Sequence, residues 1–127
     1  MDTILVLIMC LFTHSIYDFH IQGILADLKQ KKWWMENVFV KGFDRKYEYD
    51  YLAALAIHGF EWSVMMHLPL IFFWDTDITL LISSILVNTV VHSVVDDLKC
   101  NRFKINLIED QLFHFVQVVL TVFILTL

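Results

Sequence analysis

Four stretches of this chain, at about 3–24, 51–74, 78–98 and 106–127, are apolar over close to the roughly 20 residues a helix needs to cross a bilayer. Lipid offers no water to backbone N–H and C=O groups, so a spanning segment must satisfy them within itself. That requirement constrains the fold more than any other property of the sequence. Composition agrees: 58% of the 127 residues are hydrophobic and 18% charged, where soluble domains carry about a quarter charged. The expectation is an all-α integral membrane bundle of four transmembrane helices, antiparallel and up-down, with residues 1–127 forming one membrane domain. The apolar start, MDTILVLIMCLF, has no basic leader or small-residue cleavage site and reads as a retained helix rather than a signal peptide. Cys10 and Cys100 should lie at different depths and form no disulfide.

The charges orient the bundle. All nine Lys and Arg fall in two connections, Lys29, Lys31, Lys32, Lys41, Arg45 and Lys46 in the first, Lys99, Arg102 and Lys104 in the third. The opposite side carries Asp2, Asp75 and Asp77. By the positive-inside tendency both basic connections are cytoplasmic and both termini face out, in an inner (cytoplasmic) membrane. Trp33 and Trp34 beside Lys31 and Lys32 suit an interfacial amphipathic segment between helices 1 and 2, or else a solvated basic loop. Anionic headgroups are the expected partner of these loops. No nucleic-acid module is visible, and homo-oligomers are left open.

Each span carries polar residues at helical spacing, which places them on one face. The first has His14, Asp18 and Gln22, the second His58 and Glu61, the third Asn88, His92 and Asp96, the fourth Asp110, His114 and Gln117. Counted from the cytoplasmic ends at about 1.5 Å per residue, His92 lies about 9 Å deep, His58 about 10 Å, His114 about 13 Å and His14 about 17 Å. Four antiparallel helices would therefore bring these groups to one level. His20 and His67 fall off the stripes.

Ionisable groups are costly in a membrane and normally have a function. Imidazole and carboxylate together suit a divalent metal, zinc first, with manganese or iron as alternatives. The candidate ligands are His14, Asp18, His58, His92, Asp96, Asp110 and His114, with Gln22, Glu61, Asn88 and Gln111 in support. Two other readings stay open: an ion or proton transporter using the same cluster, and a non-catalytic interaction protein in which His–Asp pairs join the helices.

The order HSIYDFHIQ, HGFEW, HSVVDDLK and DQLFH resembles a family of small four-helix membrane proteins from bacteria and their phages, known as a domain of unknown function. Its motifs H-x3-D-F-x2-Q, H-x3-D-x2-K and D-Q-x2-H would map onto His14, Asp18, Phe19, Gln22, His92, Asp96, Lys99, Asp110, Gln111 and His114, with His58 from the second helix. The match is weaker at Glu61. A looser similarity links that family to membrane-bound metal-dependent hydrolases. A metal held near the cytoplasmic face would activate a water to attack a phosphoester or acyl bond of a lipid-like or phosphorylated substrate, with one of Asp18, Asp96 or Asp110 as base and Lys99 pairing with a phosphate. The alternative for Lys99 is anchoring at the boundary. Transport is disfavoured by the outer halves of the spans, where Ser83, Ser84, Thr121 and His67 are the polar groups on offer.

Overall fold

The structure, a computed structural model, describes residues 2–39 and 45–127. Lys41, and with it the side chain of Arg45, both used above to orient the chain, lie outside what is described. Among the described residues all regular structure is helical. Helix α1 (Thr3–Ile16) runs on through a π-helical turn, Tyr17–Ile21. Two short helices follow, α2 (Leu25–Leu28) and α3 (Lys31–Asn37), then a 3-10 turn at Arg45–Tyr47. The remaining long helices are α4 (Asp50–Phe73), α5 (Ile78–Cys100) and α6 (Leu107–Thr126). The α1–π unit, α4, α5 and α6 are each long and apolar enough to cross a membrane.

Local chemistry sets the ends. Gly23 adopts φ +53 just past the π turn, a conformation open to glycine, and closes the first span. The Asp77 carboxylate accepts from the N–H groups of Thr79 and Leu80 and starts α5 directly after the α4–α5 hairpin. Asn106 and Glu109 form a reciprocal capping box that starts α6.

The four long helices pack in ring order α1, α4, α5, α6, so helices consecutive along the chain are neighbours and the last closes on the first. At the α4–α5 contact Gly59 has no room for a side chain: a Cβ there would stand 2.8 Å from the carbonyl oxygen of Thr89 and collide with Ser93 Oγ. The Ser93 hydroxyl donates to the Leu55 carbonyl across the same crossing (3.0 Å), and Ser63 donates to the Ile85 carbonyl (2.9 Å). Small residues that let backbones approach are how helices associate where lipid supplies no hydrophobic drive.

The bundle interior is stratified. Towards the α4–α5 hairpin it is apolar, with Val6, Cys10, Met66, Leu70, Val122 and Leu125 buried. Towards α2 it is polar, with His14, Asp18, Lys29, His58, His92, Asp96, Asp110 and His114 buried. Outward-facing positions are the reverse of a soluble protein's: Phe12, Phe60, Phe72, Leu86, Phe113 and Phe123 are all exposed. Apolar outside and part-polar inside is the arrangement of a multi-pass membrane protein. Cys10 is in the core and Cys100 at the end of α5, and both are free.

Candidate metal centre

Every helix of the ring contributes to one cluster. The π turn in the first span lets Tyr17 and Asp18 both face inward, each nearly fully buried. From α4 comes His58, from α5 His92 and Asp96 one turn apart, and from α6 Asp110 and His114, again one turn apart. The His92 ring stacks on His114 (centroids 4.1 Å apart) and lies 5.0 Å from His58, while His14 meets His114 edge-on at 5.9 Å.

Two ligand triads share His92. Asp18, His58 and His92 form the first, and His92, Asp96 and His114 the second, each with candidate ligand atoms within 4.8 Å of one another. His58 Nε2 lies 3.6 Å from Asp18 Oδ1 and 3.2 Å from Asp96 Oδ2. His114 Nε2 lies 3.5 Å from Asp96 Oδ1 and 3.3 Å from Asp110 Oδ1. Those two carboxylates divide their oxygens alike. Each gives Oδ2 to a lysine at 2.6 Å, Asp96 to Lys29 and Asp110 to Lys99. Each leaves Oδ1 buried and without a hydrogen-bond partner among the described residues, as is His114 Nε2. Buried polar atoms are nearly always paired. Two carboxylate oxygens without a hydrogen bond beside the His114 ring, within reach of the His92, Asp96 and His114 triad, could hold a cation, and imidazole with carboxylate is a donor set for divalent metals.

The other sequence candidates fall around this centre. Gln111 donates to Asp18 Oδ2 (3.1 Å) and to Asp110 Oδ2 (3.0 Å), tying the first span to α6. Gln22 accepts from Lys29 Nζ (3.0 Å) and turns its amide back onto the Asp18 carbonyl. His14 spends Nδ1 as acceptor of the Trp62 indole N–H (2.7 Å) and stands at the edge of the cluster. Asn88 lies one layer towards the hairpin, exchanging hydrogen bonds with Thr121 and accepting on its carbonyl from Gln117. Glu61 is on the exposed side of α4 and accepts from the Tyr17 hydroxyl at 2.5 Å. Lys99 reaches the mouth, with a side chain 26% exposed. Of the two excluded histidines, His20 is exposed, and His67 is buried apart from the cluster against Ser63 and Ser84.

Sequence reasoning missed three residues. Trp62 stacks on His92 at 4.1 Å and walls the cluster on its apolar side. Its place four residues after His58 was a usable signal. Tyr17 stacks on His58 at 5.5 Å, brought in by a π turn that the stripe pattern does not reveal. Lys29 belongs by sequence to the headgroup-facing basic run, yet it is 6% exposed and inside the cluster. No family model, curated protein or solved structure matches the chain.

Proposed function

We propose that this protein is a metal-dependent hydrolase of the inner membrane, acting on a phosphoester of a lipid-like substrate from the cytoplasmic side. The observation that carries the reading is the His92, Asp96 and His114 triad, with the buried Oδ1 atoms of Asp96 and Asp110, neither of them hydrogen-bonded among the described residues, lying 3.5 and 3.3 Å from His114 Nε2. A divalent ion held there would supply a Lewis acid and lower the pKa of a water. The protein's own groups supply the rest. Asp96 and Asp110 keep their outer oxygens on lysines, which fixes the carboxylates in place. Asp18, facing His58 and His92 rather than His114, is positioned to accept a proton. Lys99, the most exposed charged group of the centre, meets the anionic oxygens of an arriving phosphate.

A groove of about 480 Å³ between α5 and α6 favours the lipid-like substrate. Leu80, Val87, Val91, Phe113, Val116 and Leu120 line it. Val91 and Phe113 immediately precede His92 and His114, so an acyl chain lying in the groove ends at the level of the cluster. Metal analysis of protein purified in detergent without chelators tests the reading, beside an Asp96→Ala, His114→Ala double variant. The wild type should retain zinc, manganese or iron that the variant lacks, with helical content unchanged. Protein that stays free of metal after supplementation would discard the hydrolase.

One observation favours transport as a second reading. Above the cluster His67, Ser84, Asn88, Thr121 and Gln117 form a connected polar layer: His67 Nε2 lies 2.9 Å from Ser84 Oγ, and Asn88 joins Ser84 to Thr121. Its members are uncharged amides and hydroxyls apart from His67, and beyond it the core is apolar. Ion flux into liposomes, lost on Asn88→Leu, would support that reading instead.

A further inference from the structure

Lys29 reaches the cluster by construction. It follows α2, and Asn101 at the end of α5 grips the backbone on either side of it. The Asn101 amide donates to the Lys29 carbonyl (3.0 Å) and its oxygen accepts from the Lys31 N–H (2.7 Å). The Cys100 thiol also faces the Lys29 carbonyl, at 3.7 Å. So anchored, the side chain turns inward, donating to Asp96 Oδ2 at 2.6 Å and to Gln22 Oε1 at 3.0 Å, with His58 Nε2 3.2 Å away.

Asp96 thereby divides the centre into two halves. Its Oδ2 serves the half made with Asp18, His58 and Lys29, its Oδ1 the half made with Asp110 and His114, and His92 belongs to both triads. A carboxylate with one oxygen in each half is the layout of a two-cation centre. The polar atoms left without partners differ between the halves. Around His114, Asp96 Oδ1 and Asp110 Oδ1 have no hydrogen-bond partner among the described residues and Lys99 Nζ stays 3.9 Å from Asp96 Oδ1, whereas the Lys29 ammonium lies 2.6 Å from Asp96 Oδ2 and 3.2 Å from His58 Nε2.

Charge points the same way. Asp18, Asp96 and Asp110 contribute three negative charges and Lys29 and Lys99 two positive ones, leaving one negative charge when the imidazoles are neutral. One divalent ion brings the centre to a single positive charge, which suits a phosphodiester anion. A second would bring it to three in a low-dielectric interior, where unbalanced charge is costly.

We infer that the centre takes one divalent ion, in the half that holds the His92, Asp96 and His114 triad with Asp110 beside it, and that the Lys29 ammonium is the resident cation of the other half. This rests on the metal-centre reading above. A second ion on His58 and Asp96 would need bond lengths of about 2.0–2.2 Å to those atoms, so Lys29 must leave first.

Zinc alone is the probe, counted by elemental analysis of the full chain in detergent after titration and desalting. Wild type should hold about one equivalent and Lys29→Ala about two, the added ion disappearing when Asp18→Asn is combined with it. Should Lys29→Ala fail to fold, Asn101→Ala loosens the clamp without touching a ligand and should raise the count above one. Two equivalents in the wild type would overturn the inference and leave the metal centre standing. One equivalent in wild type and in every folded variant overturns it too. None in the wild type overturns both.

Discussion

At the scale of single residues, the cluster shows how differently two similar ion pairs can be situated. Asp96 and Asp110 each hold a lysine at 2.6 Å, but the Lys29 side chain is 7% exposed and that of Lys99 26%. Removing a carboxylate from a buried pair strands the remaining charge, at a cost of about 3–5 kcal/mol. Lys99 can turn to water. In chelator-treated protein, where metal binding does not contribute, Asp96→Ala should therefore lose about 3–5 kcal/mol and Asp110→Ala about 2 kcal/mol. Melting in detergent followed by circular dichroism reads the difference, and equal losses would mean that Lys29 has water access. Trp62→Phe is a finer probe. It keeps a ring against His92 but deletes the N–H that His14 accepts, so it should cost about 1 kcal/mol and leave metal content unchanged. The inward set was legible in the sequence because His14, Asp18, His58, His92, Asp96, Asp110 and His114 lie on helices, where spacing fixes direction. Lys29 was not, because its direction is set by Asn101, 72 residues away, and no local pattern encodes such a grip.

At the scale of elements, the spans themselves were readable to within a residue or two at most of their ends. The expected 51–74, 78–98 and 106–127 are Asp50–Phe73, Ile78–Cys100 and Leu107–Thr126. The first span departs most, because its last turn is π-helical and Gln22 and Gly23 then turn the chain towards α2. That departure has a purpose in the packing: the wider turn brings Tyr17 and Asp18 to the interior together. The α4–α5 pair depends on Gly59, whose missing side chain lets two backbones meet. Part of what a Cβ would strike there is a carbonyl, which cannot swing aside. Gly59→Ala should force the helices apart and cost about 1–3 kcal/mol. The same pair sets His58 against His92, so metal retention should fall along with the melting temperature. A variant destabilised with full metal content would show that the cluster does not depend on this crossing.

At the scale of the whole molecule, the stratified interior makes the two ends of the bundle unequal. The end bearing α2 holds the carboxylates, the imidazoles and the lysines. The hairpin end is closed by Met66, Leu70, Leu81 and Leu125, with Val6 and Val122 behind them. Between them lies the neutral layer of Asn88, Gln117 and Thr121, where hydrogen bonds from Gln117 and Thr121 to Asn88 tie α5 to α6. Charged or hydrated solutes meet an apolar core towards the hairpin, while at the α2 end the Lys99 side chain is 26% exposed. Access should therefore be one-sided. On the metal-centre proposal, an impermeant chelator should strip the metal from membrane vesicles when the basic connections face the bulk solution. Vesicles of opposite orientation should keep it until detergent is added. Equal stripping in both would mean that a path crosses the bundle, and the polar layer would then be its middle section rather than a clamp between helices.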